Sequence, residues 1–148
     1  RGRPHCRRLN IRPYQSEDQT AVLDLWARCG LVAPETRAVA EADLARKLQV
    51  QPELFVVGVL GSEVIATGMA GYDGHRGHLY YLAVCPRHQR QGHGRALVKH
   101  VQTLLRERGC HRLTLYVSCD NLVVEGFYQR LGFERNEVVS LGIHLPPA

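Results

Sequence analysis

The 148-residue chain has no apolar run approaching eighteen residues, so no membrane-spanning helix is expected. Its first twelve residues contain no acid, only Arg1, Arg3, Arg7, Arg8 and Arg12 as charged side chains. No apolar stretch follows those arginines, so a secretory signal is not expected either. Cysteines at positions 6, 29, 85, 110 and 119 lack paired metal-ligand spacing, and their odd number closes no full disulfide set. Reduced thiols in a cytoplasmic protein are the simplest expectation. No internal repeat, linker or low-complexity block divides the sequence. Its length suits a single domain over residues 9–148, behind a flexible basic leader over residues 1–8.

The net charge of +5 is concentrated in the first twelve residues. Without their five arginines, the nineteen basic residues fall to fourteen, against fourteen acidic ones. A basic face interleaved with aromatics is missing, so nucleic acid is not an expected partner. A smaller cluster is more telling: Arg87, Arg90, Arg95 and Lys99 surround a glycine-bearing stretch, as cations do at a phosphate site.

Periodicity outlines the elements. Leu9–Arg12 reads as a short strand. Ser16 to Gln19 has capping-box spacing, and Ala21, Val22, Leu25, Trp26 and Cys29 form one helical stripe that Gly30 ends. A second helix is predicted over Thr36–Leu48, with Ala40, Leu44 and Leu48 on one side and Pro52 beyond it. Leu54–Leu60 and Glu63–Tyr72 form a hairpin about Gly61-Ser62, and His78–Val84 is a third antiparallel strand after a turn at Asp73-Gly74. Leu97, Val101, Leu104 and Leu105 mark a helix closed by Gly109. Arg112–Val117 reads as a strand, Asn121–Leu131 as a helix and Glu137–Leu145 as a final strand or pair of strands. The strand–helix–strand crossover from 78 to 117 makes its flanking strands parallel within a mixed sheet.

Between that third strand and its following helix lies Gln89-Arg90-Gln91-Gly92-His93-Gly94-Arg95-Ala96-Leu97. Two glycines one residue apart allow a tight turn with bare N–H groups. The helix start adds further unpaired N–H groups and the positive end of its dipole. Such a turn binds phosphate, above all a pyrophosphate. The dinucleotide pattern would need glycine where Leu97 stands, and the nucleoside-triphosphatase loop needs Gly-Lys-Ser/Thr, which is absent.

The pattern Q/R-x-x-G-x-G/A resembles the acetyl-coenzyme A loop of the GNAT acetyltransferase superfamily. The run from His78 to Leu97 resembles that superfamily's central strand, loop and helix. Asn121 with Phe127-Tyr128-Gln129-Arg130-Leu131-Gly132-Phe133 resembles its C-terminal motif. With Gly71 to Gly77 added, the likeness is nearest to bacterial YpeA-type acetyltransferases, with ribosomal-protein N-terminal acetyltransferases more distant. It spans residues 9–145. It implies an α/β (α+β) GNAT fold: a mixed, mostly antiparallel sheet, splayed at the cofactor site, with about four helices on both faces.

The resemblance also implies roles. Gly92 and Gly94, with Gln89, Arg90, Gln91, His93 and Arg95, would wrap the pyrophosphate of acetyl-CoA. Leu82, Ala83 and Val84 would offer main-chain bonds to the pantetheine arm, as an added strand does. Asn121 matches the family's cofactor-bonding asparagine. Tyr128 matches the tyrosine beside the cofactor's sulfur, where a phenol can protonate the departing thiolate; Phe127 is expected to be the packing aromatic of that pair.

For the general base, histone-modifying relatives carry a glutamate early in the central strand, where this chain has His78. Ribosomal-protein relatives carry one on the next strand, where it has Tyr116. His78 has a suitable intrinsic pKa and shares a strand face with Tyr80, while an ordinary polar residue at the strand start, with water relaying the proton, is the other reading. His75 and His78 lack a completing ligand, so no metal is expected.

The implied activity is acetyl-CoA-dependent N-acetylation of a primary amine by direct attack in a ternary complex. The acceptor would be a small molecule, a protein N-terminus or a lysine. A catalytically silent acyl-CoA-binding regulatory module of the same fold is the alternative, and Val138–Leu145 can pair across a homodimer.

Overall fold

Val-rich segments joined by a two-residue turn suit strands buried on both faces, and two of these form the middle of the sheet. The computed structural model describes residues 8–148. The expected leader therefore lies, except for Arg8, outside the described residues. The chain forms two compact units, one ending at Leu115 and the other spanning Tyr116–Ala148.

The first unit runs β1 (Asn10–Pro13), α1 (Gln19–Arg28), α2 (Arg37–Lys47), β2 (Phe55–Leu60), β3 (Glu63–Tyr72), β4 (Gly77–Val84), α3 (His93–Glu107) and β5 (Leu113–Thr114). Its strands lie in the order β1-β2-β3-β4-β5. The first three pairings are antiparallel and β4–β5 is parallel, as the crossover requires. The second unit contains α4 (Leu122–Arg130).

Helices cover both faces of the sheet. Thr67 and Gly68 are neighbours on β3 and so point to opposite faces. Thr67 receives the Trp26 indole of α1. A Cβ on Gly68 would come within 3.1 Å of Leu97 of α3, and one on Gly58 within 3.3 Å of the same leucine. Both glycines are there so that α3 can sit close to β2 and β3. Leu97, Val98, Val101 and Leu105 form its buried stripe.

At the start of α1 the carboxylate of Asp18 accepts the Gln15 N–H at 2.9 Å and takes two bonds from Arg12, at 2.8 and 2.9 Å. Capping thus starts one residue before the expected Ser16–Gln19 box, because Asp18 can cap and pair with Arg12 together. Val22, Leu25 and Trp26 are buried as the stripe predicts, and Leu23 joins them. Gly30 takes the left-handed conformation at φ 73°. In α2, Ala40 and Leu44 are buried, whereas Leu48 lies past the helix end and is exposed.

Two expectations fail. The strand expected over Arg112–Val117 shrinks to Leu113–Thr114, because its ladder with β4 ends at the His78–Thr114 pair. Glu137–Leu145 forms no strand. Its Val138, Val139, Leu141, Ile143 and Leu145 are 77–91% exposed. Alternation marks a segment able to be a strand, but the strand itself exists only when a neighbouring chain completes its hydrogen bonds.

The Arg12 hydrogen bonds lower the Asp18 pKa from its ordinary value, outweighing burial, which acts to raise it. The stabilisation is therefore complete above the unfolded aspartate value and is lost as pH falls through the lower folded one. We expect Asp18→Asn to cost about 1–2 kcal/mol at pH 7. Urea unfolding at pH 7 and below pH 3 should show that difference shrinking in acid.

Candidate active site

The β3–β4 ladder departs from regular pairing at one place. Met69 pairs with Tyr80 and Thr67 with Ala83, so Tyr81 and Leu82 together oppose Gly68. This is a β-bulge, one extra residue that turns the strand. Tyr81 takes φ 49°, an uncommon conformation for a residue other than glycine. Leu79 and Leu82, three apart, both approach the position of a Cβ on Gly68, at 3.6 and 3.7 Å. In an unbroken strand they would face opposite ways.

Buried contacts hold the bulge. The Trp26 Nε1–H donates to Thr67 Oγ1 at 2.8 Å, and the Thr67 hydroxyl donates to the Tyr81 carbonyl at 2.8 Å. The Trp26 and Tyr81 rings stack with centroids 3.9 Å apart and planes 10° apart. The Tyr81 hydroxyl reaches Asp43 of α2 at 3.4 Å. Trp26 as a stripe residue was legible in sequence, but its partners Thr67 and Tyr81 were not singled out. The signal available was the Leu79-to-Leu82 interval, which breaks strict alternation.

Downstream of His78, β4 continues to Val84 with no β5 residue paired beside it. Leu82, Ala83 and Val84 occupy this released stretch. The Val84 carbonyl is already engaged, accepting the Gln89 Nε2–H at 3.0 Å and the Cys29 thiol at 3.4 Å. Gln89 therefore ties the end of the strand to the loop that follows.

In that loop Arg90 has φ 62° and Gly92 φ 85°. A Cβ on Gly92 would meet nothing within 4 Å, so it is the backbone conformation, not packing, that calls for glycine there. Gly92 caps α3 without any side-chain cap, and the Ala96 N–H bonds the Gly92 carbonyl at 3.0 Å. The N–H groups of the preceding first turn lie beyond intrahelical reach and point along the dipole's positive end. Gln91, Arg90 and Arg95 are exposed around this turn, with His93 and Gly94 half-buried. Arg87 is drawn aside to Glu63 at 2.7 Å, which leaves Arg90, Arg95 and Lys99 as the nearby exposed cations of the expected cluster. Burial, followed by His88, lowers the pKa of His93, so this ring stays neutral at pH 7.

His78 is the last β4 residue paired with β5 and stacks with Tyr80 at 6.1 Å, as their shared face predicts. Its Nε2 lies 3.9 Å from Asp73 Oδ2. Asn121 and Tyr128 belong to the second unit. Asn121 caps α4, its side-chain oxygen accepting the Val124 N–H at 3.3 Å. Tyr128 is buried and packs edge-to-face against Phe127 at 5.1 Å and Phe133 at 5.4 Å. Phe127, expected to be the packing aromatic, is only half-buried. Burial pushes the Tyr128 pKa up to about 12, so its phenol remains protonated at neutral pH and can donate but not act as a base. Among the described residues no group of three or more His, Cys, Asp or Glu could hold a metal ion, and no helix is long and apolar enough to cross a membrane.

The sequence matches the acetyltransferase (GNAT) family over residues 6–133. The chain belongs to that family. The mixed, mostly antiparallel sheet and the four α-helices of the described residues make the family's α/β fold, and acyl transfer from acetyl-CoA is the general activity that goes with it. The chain is similar to Ard1 from Thermoplasma volcanium, at 28% identity and TM-score 0.73, over 85% of this chain and 82% of that one. It also shares the fold of two proteins at 18% identity. One is the aminoglycoside antibiotic 6'-N-acetyltransferase AAC(6')-IG from Acinetobacter haemolyticus, with TM-score 0.75 over 93% and 99% of the two chains. The other is the PaiA N-acetyltransferase from Thermoplasma acidophilum in complex with coenzyme A, with TM-score 0.73 over 89% and 93%.

Replacing Thr67 by valine keeps volume but orphans the Trp26 indole N–H and the Tyr81 carbonyl. We expect Thr67→Val to lose about 2–4 kcal/mol in urea unfolding, and Thr67→Ser, which keeps the hydroxyl, about 1 kcal/mol.

Proposed function

We propose that this GNAT-family protein is an N-acetyltransferase that moves the acetyl group of acetyl-CoA to a primary amine by direct attack in a ternary complex. The observation that carries this reading is the release of β4 from β5 after His78, just upstream of a loop that ends in an α3 N-terminus with no side-chain cap. An extended amide ligand fits a strand with one open side, and a diphosphate fits an open helix start. In this reading Leu82, Ala83 and Val84 hold the pantetheine arm, the Val84 carbonyl being excluded because Gln89 and Cys29 already use it. Arg90, Gln91, Gly92, His93, Gly94 and Arg95 hold the pyrophosphate, with Gln89 bracing the turn. The cap bond leaves the Asn121 amide NH2 for the cofactor.

Tyr128 is assigned the proton donor to the departing thiolate, and its high pKa keeps the required proton in place. His78 is assigned the acceptor of the amine proton. The motif likeness to YpeA-type and ribosomal-protein N-terminal acetyltransferases favours an amine on a peptide or protein, a free N-terminus or lysine, over a small molecule. A cytoplasmic setting, and a homodimer through residues 138–145, belong to the same reading.

Titration calorimetry with coenzyme A tests the cradle, and heat at one site per chain is expected. Thiol release from acetyl-CoA, assayed with a panel of amines and peptides, tests transfer. Coenzyme A binding without amine-dependent thiol release would make the protein a silent acyl-CoA-binding module instead. We further expect Tyr128→Phe to lower kcat about 100-fold while leaving the calorimetric affinity for coenzyme A within about twofold. Unchanged turnover would remove Tyr128 from the mechanism.

A further inference from the structure

His78 and Thr114 are register partners and the last paired residues of the parallel β4–β5 ladder. Register partners place their side chains on the same face of a sheet. Each carries a buried polar atom with no hydrogen-bond partner, Nδ1 of His78 and Oγ1 of Thr114. Buried polar atoms are nearly always bonded, so each exception calls for an explanation. Here two stand at adjacent positions, at the point where the strands part.

The other ring nitrogen faces the Asp73 carboxylate, with Nε2 3.9 Å from Oδ2. That is longer than a hydrogen bond, so the contact acts through charge. Asp73 Oδ1 accepts the N–H groups of His75 and Arg76, each at 2.7 Å, which fixes the carboxylate in its turn. Those bonds also lower its pKa, so it stays ionised at neutral pH. A fixed anion on the Nε2 side favours the tautomer with its proton on Nε2 and leaves the Nδ1 lone pair as the acceptor. The stacked Tyr80 ring restrains the plane of the imidazole.

We propose that Asp73 and Thr114 are positioning residues that present His78 Nδ1 as the proton acceptor, Asp73 by selecting the tautomer and Thr114 by holding a bridging water beside Nδ1. The inference rests on the N-acetyltransferase reading and names the groups that would serve its base. The amine arrives as an ammonium. One N–H bond breaks and its proton passes to the buried Nδ1 through the water. The freed electron pair forms the N–C bond. The C–S bond then breaks with its pair on sulfur, a second amine proton balances the one the thiolate takes up, and His78 returns its proton to solvent. A hydroxyl suits this place because it donates and accepts at once. A water needs such partners to be held in a buried site.

The test is long-range 1H–15N imidazole spectroscopy on the intact protein, with His78→Gln assigning the signal. The expected wild-type signal is the Nε2–H tautomer. Asp73→Asn should shift it toward a mixture of tautomers. Thr114→Val should move the Nδ1 resonance, and Thr114→Ser should leave it in place. In parallel, thiol release is followed with a tripeptide carrying a free N-terminus and a lysine. Thr114→Val should lower kcat about tenfold with the KM for acetyl-CoA within about twofold, and Thr114→Ser should restore it. A wild-type Nδ1–H tautomer, or a His78 signal indifferent to both Asp73→Asn and Thr114→Val, overturns the inference. So does equal loss of turnover in the valine and serine variants. Absence of thiol release from the wild type, alongside the expected spectra, would instead sink the transferase reading and leave the positioning intact.

Discussion

One buried hydroxyl holds the centre of the sheet in its irregular shape. Thr67 accepts from the Trp26 indole and donates to the carbonyl of Tyr81, so the extra residue in β4 leaves neither of those groups without a partner. A bulge in a central strand would otherwise bury broken ladder groups, which is costly in a low-dielectric interior. Once it is held, β4 turns, Tyr81 adopts its positive φ against Trp26, and pairing with β5 ends after two residues. The open side of β4 follows from that turn.

The opposite face supplies the second constraint. Gly58 and Gly68 leave room for Leu97, so α3 packs closely against β2 and β3 and its first turn is fixed relative to the end of β4. Gln89 closes the short distance by bonding back to Val84. Loop, helix start and strand end are therefore one rigid arrangement, without a metal or a disulfide among the described residues. For the proposed acetyl transfer such rigidity would count, because backbone groups that stabilise developing charge act best when they need not move.

Much of this was readable from patterns of neighbouring residues. The hairpin about Gly61-Ser62, the α3 stripe, the parallel crossover and the glycine turn all depend on spacing within a few residues, and they stand as predicted except that Val98 is buried in the stripe and Leu104 only half-buried. The capping of α1 moved by one residue because Arg12, six positions away, recruits Asp18. The pairing of Thr67 with Trp26 joins residues 41 apart and has no local signature. Arg87 looked like part of the phosphate cluster but pairs with Glu63, a partner brought near only by the strand arrangement. Residues 138–145 alternate like a strand and yet remain without one.

The sequence by itself determined the element order as far as α4, the tight glycine turn before α3, the family, and most of the buried stripes of α1 and α3. These follow from backbone sterics and hydrophobic periodicity, which act over a turn or a pair of strands. Tertiary structure alone decided where the central strand bulges, where the parallel ladder stops, which cations remain near the turn, and that His78 and Thr114 share an unsatisfied buried corner. Those outcomes depend on hydrogen-bond partners supplied by distant segments, and a polar group's partner cannot be known until the chain has folded around it.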